Sequence, residues 1–249
     1  KKYKNCFHSF EHCFQNNKEN KYIDKQYGVA PYKKDIKENF YLISLGYKKS
    51  FFLNFFKKIK KLNSQDIDYF ISDRYLNLSD IIEVYSKSII YFFKVIMYSR
   101  NKSFFINNQN CFNVLYPLLL KSFAGNVQSY ILQSLAIKNF FNYTESNYFI
   151  NYGEFSPGYR STYFFLKEIK FPIKIITIQH SYANKNLLFF RNNKKEFISN
   201  SQKNLISPMP DKYLVMGNHF KNILKDYFPG KIKIIGSLKY DVDYFKLYK

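Results

Sequence analysis

The sequence predicts an α/β protein built on a parallel sheet with crossover helices. Two observations carry this. The half beginning at Ser146 alternates short apolar strands with amphipathic helices, strand–helix–strand repeated. The strands also end in polar or glycine-containing loops, the pattern of an open sheet that binds ligands at its carboxyl edge. Residues 173–181, read IKIITIQHS, show both features at once: a β-branched run too short for a helix stops at Gln179, His180 and Ser181.

Taken in order, the strand Asn147–Asn151 ends in Tyr152-Gly153-Glu154, and a helix entered through Ser156-Pro157 spans Gly158–Lys170. Strand Ile173–Ile178 follows. After a polar loop come strand Lys212–Met216, helix Asn218–Tyr227, and strand Lys231–Ile235, which stops at Gly236-Ser237. Glycine at a strand end lets the backbone turn sharply or approach a ligand closely. In a parallel sheet these ends share one edge, so Glu154, His180 and Asn218 are expected to converge on a cleft.

The first 145 residues read as a mostly helical region packing on the sheet. Helices are expected over Asp35–Leu45, Ser50–Leu62, Ser79–Arg100, Asn113–Phe123 and Val127–Phe141. Ser50–Leu62 gathers Lys57, Lys58, Lys60 and Lys61 toward its C-terminus, which suits the helix dipole. It reads as a core-facing helix, with an anionic membrane surface as its alternative. Near the start, Cys6, His8, His12 and Cys13 crowd into CFHSFEHC. Structural zinc joins ligand pairs across a loop, and one rigid helix cannot turn all four inward. A partly buried N-terminal helix is therefore expected there, and no metal site. The domain division expected is 1–145, then an α/β part over 146–240, then 241–249 opening a link to a further half.

Net charge is +21, which taken alone points to nucleic acid or an anionic membrane. Yet the basic residues are nearly all Lys, Trp is absent, and Asn, Ile, Phe and Tyr are abundant, the profile of a coding sequence drawn toward A and T. The charge reads first as solvated lysine. The four arginines, Arg74, Arg100, Arg160 and Arg191, become the more informative cations. Three cysteines make no disulfide framework, so a reducing compartment is expected. No stretch approaches the roughly 20 apolar residues of a membrane span. The nearest, Ser88–Tyr98, is short and carries Lys94.

The order Gly153-Glu154, a helix with Arg160, Gln179-His180-Ser181, Pro210-Asp211 with Tyr213–Gly217, and Gly236-Ser237 with Tyr240-Asp241 resembles glycosyltransferases of the GT-B superfamily. Among these it is most similar to bacterial surface-carbohydrate biosynthesis proteins, and more distantly to CDP-glycerol glycerophosphotransferases. The resemblance covers roughly Tyr148–Asp241. Ser181 departs from the commoner glycine. It implies a Rossmann-like sheet forming the N-terminal, acceptor-side half of a GT-B fold, with a donor-binding half in a longer protein. It also implies catalysis without a bound metal or other cofactor, helix N-termini and basic side chains neutralising the leaving diphosphate.

On that basis His180 is expected as general base, with Glu154 the second candidate. Gln179, Ser181, Arg160, Gly217, Asn218, Gly236 and Ser237 are expected to bind substrate. Arg160 has an ion pair with Glu154 as its alternative role. Arg191 reads as a solvated loop charge and His219 as structural. The partners implied are a nucleotide-sugar or CDP-polyol donor and a glycan or lipid-linked acceptor, in the cytoplasm with peripheral contact at the inner membrane face. A nucleic-acid partner is not expected, because the aromatics follow core spacing. The competing class is a non-catalytic basic polyanion binder.

Overall fold

The computed structural model describes residues 3–16, 22–32, 36–45, 50–63, 66–101, 105–106, 109–153, 156–169, 172–179, 206–228 and 230–238. Its strands are β1 (Tyr3–Phe10), β2 (Phe14–Asn16), β3 (Tyr22–Asp24), β4 (Asn39–Ser44), β5 (Asp68–Ile71), β6 (Phe105–Ile106), β7 (Gln109–Asn110), β8 (Ser146–Asn151), β9 (Lys174–Ile178), β10 (Lys212–Val215) and β11 (Lys231–Ile234). Its helices are α1 (Ser50–Asn63), α2 (Leu78–Asn101), α3 (Phe112–Lys121), α4 (Val127–Tyr143), α5 (Pro157–Lys167) and α6 (Asn218–Leu224).

Seven strands form one sheet in the order β11-β10-β9-β8-β1-β4-β5, parallel at every pairing. The chain runs outward from β1 to β4 and β5, then returns to pair β8 with β1's free side and continues to β11. This is the doubly wound Rossmann-like arrangement, and its strand order reverses between β1 and β8. Two small antiparallel ribbons, β2–β3 and β6–β7, stand apart from it.

Helices cover both faces. On one, α4 and α5 bury Ile137, Phe140, Phe141, Tyr163 and Leu166 against Cys6, Phe40 and Phe149. On the other, Ile59 and Leu62 of α1 join the β2–β3 ribbon over Phe7, Tyr41, Ile43 and Ile178. A third cluster packs Leu224 of α6 on Tyr213 and Val215 of β10. Helix α5 begins as its sequence requires, with extended Ser156 as N-cap and Pro157 fixing the first turn.

The first third departs from expectation. The described residues 36–45 hold no α-helix: Ile36–Glu38 is a single 3-10 turn, and Asn39–Ser44 is a strand with all six residues buried, at home only between two neighbours inside a parallel sheet. The expected N-terminal helix is likewise strand β1, one of the two central strands at the reversal. A helical region merely laid on the sheet is thus replaced by one that supplies β1, β4 and β5, so the sheet draws strands from both sides of residue 145. Cys6 and His8 lie in the α4–α5 layer and Cys13 in the opposite one. No three His, Cys, Asp or Glu side chains come together as metal ligands among the described residues. Helices α1 to α5 otherwise match expectation, with a π-helical turn, Ser122–Asn126, joining α3 to α4.

Candidate functional site

Ligands of open α/β sheets bind outside the carboxyl ends of the strands, where the strand order reverses. Here that point lies between the Glu11–Cys13 turn after β1 and the Tyr152-Gly153 segment after β8. Asn151 organises the β8 side. Its Oδ1 accepts from Tyr163 Oη at 2.7 Å, from Thr177 Oγ1 at 3.2 Å and from the Gly153 amide at 3.0 Å. Its Nδ2 donates to the Ile176 carbonyl at 3.3 Å. One buried amide thereby ties β8, β9, α5 and the loop together. Gly153 is required for packing: a Cβ there would lie 1.9 Å from the Tyr159 ring.

Across the reversal, the ends of β1, β4 and β5 are closed by buried polar groups that satisfy one another. His8 Nδ1 lies 2.8 Å from Tyr159 Oη and Nε2 lies 2.9 Å from Ser44 Oγ, so both ring nitrogens are engaged. The chain continues from Ser44 to Ser72, 2.8 Å away, and from Ser72 to Asp73. Burial pushes the His8 imidazole down to about 3, which keeps it neutral and useless as a base near pH 7. On the opposite face Ser9 donates to Asp24, whose other oxygen accepts from the Gln26 and Tyr27 amides. Burial raises Asp24 to about 6, against those hydrogen bonds. Tyr152 Oη donates to Cys13 Sγ at 3.1 Å, and burial raises both the Cys13 and Cys6 thiols. Neither thiol has the lowered pKa of a nucleophile.

The other ends, β8 to β11, are neighbours in one row about 15 Å across at the usual strand spacing. Gln179 is buried in it. Its amide donates to the Leu214 carbonyl and its Oε1 accepts from the Met216 amide at 3.0 Å, so it fastens β9 to the end of β10. Gly217 is the N-cap of α6, and neither it nor Gly236 would bring a Cβ within 4 Å of another atom of the described residues. Gly236 has φ +78°, a conformation that favours glycine. Ser237 Oγ is buried and has no hydrogen-bond partner among the described residues. Asn218 is exposed, and half-buried Arg160 lies near the start of α5, its amide bonded to the Ser156 carbonyl.

Glu154, His180 and Ser181 lie outside the described residues, as do Arg191, Tyr240 and Asp241. Asp211 has a different place from the strand-end residues. It sits at the opposite, amino edge, where its carboxylate accepts from the Ile175 amide at 2.7 Å and its own amide donates back to Ile175. It pins the register of β10 on β9.

His12, weighed in the sequence only as a metal ligand, is a base that sequence reading did not consider. It lies exposed in the turn after β1, stacked on Phe10 at 5.6 Å between centroids, beside the reversal itself. An imidazole there has a general base's chemistry and access to solvent. Recognising CFHSF as a strand was the signal needed. Two cavities, of about 220 and 450 Å³, are lined by helical and π-turn residues such as Phe92, Phe123, Val127 and Ile131.

Fold and site together define a doubly wound α/β protein whose carboxyl edge is open, among the described residues, at the ends of β10 and β11. No family model, curated protein or solved structure matches the chain.

Proposed function

We propose that this chain is the acceptor-side part of a GT-B-type glycosyltransferase, moving a sugar or polyol phosphate from a nucleotide-activated donor in surface-polysaccharide biosynthesis. One observation supports the reading above others: the strand ends that carry the resemblance, those of β8, β9, β10 and β11, are consecutive neighbours on one side of the reversal. His180 is the next residue in the chain after Gln179, which is itself held by the β10 backbone. In this reading His180 removes the acceptor hydroxyl proton, with Glu154 and His12 as the other candidate bases. Arg160 offers a bidentate donor set to phosphate. Open space at Gly217 and Gly236 admits the substrate backbone-close. No metal is assigned to the reaction. A lipid-linked acceptor would bring the protein to the inner membrane face as a peripheral protein.

The test is transfer by the full-length protein from a panel of nucleotide sugars and CDP-polyols to membrane-extracted acceptors. His180→Ala should lower turnover by at least about a hundredfold with the unfolding midpoint unchanged. Full activity in a folded His180→Ala protein removes His180 from the mechanism, and His12→Ala and Glu154→Gln then locate the base. Binding to single-stranded nucleic acid that falls steeply with salt, with no transfer from any donor, would select the polyanion-binding reading instead.

A further inference from the structure

Helix α2 is apolar on two sides. One side packs inward: Val84 and Ser88 are buried, and the Phe92 ring meets Phe123 of the π-turn at 5.7 Å. The other side faces water. Leu78, Ile82, Tyr85, Ile89, Phe93 and Met97 recur every three or four residues, and Ile89 and Phe93 are 58% and 61% exposed. The solvent side of a globular helix is ordinarily polar, so this stripe is built to be covered. It continues onto α3. Leu120 lines the 220 Å³ cavity together with Ile89 and Phe92, and Val114 and Leu118 are exposed on the same helix.

Charge identifies what covers it. Between Glu83 and Glu145 the chain has no acidic residue and six basic ones, Lys87, Lys94, Arg100, Lys102, Lys121 and Lys138, of which Lys87 pairs with Glu83 and Lys138, on α4, with Glu168. Lys94 lies on α2 beside the stripe, its ammonium 5.6 Å from the Tyr91 ring centroid. A second copy seated on this face would bring two segments of the same sign together, in a protein of net charge +21. An anionic lipid surface complements both the charge and the apolar stripe. No helix among the described residues is long and apolar enough to cross a membrane. Helix α2, about 36 Å long at 1.5 Å per residue, suits lying in the interface plane instead.

We propose that the α2–α3 face docks on an anionic bilayer, its apolar side chains entering the headgroup–acyl boundary while the lysines reach back to lipid phosphates. The proposal rests on the preceding functional reading only in placing the acceptor at a membrane. Vesicle binding needs neither donor nor acceptor, so each idea can fail alone.

The experiment is flotation of the full chain with phosphatidylcholine vesicles, with and without phosphatidylglycerol, at low and high salt. The expected result is binding to the phosphatidylglycerol vesicles that weakens as salt rises. Ile89→Ser with Phe93→Ser leaves charge unchanged. It should keep the circular dichroism spectrum and unfolding midpoint of the parent while partitioning at least about tenfold more weakly. Ile234→Ser, on the strand at the far sheet edge, should bind as the parent does. Absence of binding by the parent, or equal loss in both variants, overturns the proposal. A concentration-dependent dimer abolished by the Ile89/Phe93 pair also overturns it and assigns the face to a second copy.

Discussion

The two sides of the strand-order reversal use their carboxyl ends in opposite ways. Over β1, β4 and β5 the ends are filled: His8, Ser44, Ser72 and Asp73 bond in series, and Ser9, Asp24, Tyr152 and Cys13 do so on the other face. Over β10 and β11 they are open among the described residues, with no described atom near a Cβ at Gly217 or Gly236 and a buried hydroxyl at Ser237 that meets no described partner. Groups that have already met their hydrogen-bonding needs have little left for a ligand. Polarity at a strand end therefore does not by itself mark a binding site. Unspent capacity is a mark only where it adjoins open space: on the first side Gln26 and Tyr41 each have a buried oxygen that lacks a hydrogen-bond partner among the described residues, but at the described strand ends open space adjoins such a group only over β10 and β11.

The strongest way to break this division is at Asn151, which anchors the β8 side of the reversal. Asn151→Ala removes the acceptor used by Tyr163, Thr177 and the Gly153 amide, all in a dry environment. The expected loss is about 3 kcal/mol, from unsatisfied buried donors plus a small cavity. Urea denaturation measures it. A loss under about 1 kcal/mol would mean the loop is not held from this residue.

The closed side is sharpened by pH. Folded His8 stays neutral down to about 3, whereas the unfolded side chain takes up a proton near 6.5. Its contribution is complete above 6.5 and is lost as pH falls toward 3. Asp24 runs the other way: its folded pKa of about 6 exceeds the unfolded 3.8, so its contribution is complete below 3.8 and lost as pH rises through 6. Between 3.8 and 6 the two slopes oppose each other, each up to about 1.4 kcal/mol per pH unit. Relative to the parent, Asp24→Asn should lose stability more steeply on acidification across this window, and His8→Gln less steeply. Parallel curves for all three proteins would refute the linkage.

The same contrast explains what could be read from residues alone. The β8–β11 strands are apolar runs stopped by polar or glycine-containing ends, and each run is informative within its own few residues. Strand β1 is not. His8 and Ser9 are fully buried, but polar residues announce burial only through their partners, and those of His8 lie 36 and 151 positions away. The apolar run of β4 fits helix and strand alike until its neighbours are known. With β1 unrecognised, the reversal could not be located and His12 drew no attention as a base. Within the site, the row of strand ends was legible but the use of each residue was not. Gln179 looks like a ligand contact and acts as a staple, because only the fold places the Met216 amide within reach of its side chain.

Within the β8–β11 row the strand ends differ least visibly, and most usefully, at their glycines. Gly153 and Gly217 both follow strands of the same row, yet a Cβ meets the Tyr159 ring at one and open space at the other. Tyr159 cannot swing aside without breaking its bond to His8. Gly153→Ala should therefore cost about 2 kcal/mol, from overpacking that propagates into the closed side. Gly217 is extended, φ −172° and ψ −179°, a conformation any residue adopts, so Gly217→Ala should alter stability by less than about 0.5 kcal/mol. If substrate passes over the β10 end, that neutral substitution narrows its path, and KM should rise several-fold with the fold intact. An unchanged KM in Gly217→Ala would move the substrate away from β10, toward the reversal and His12.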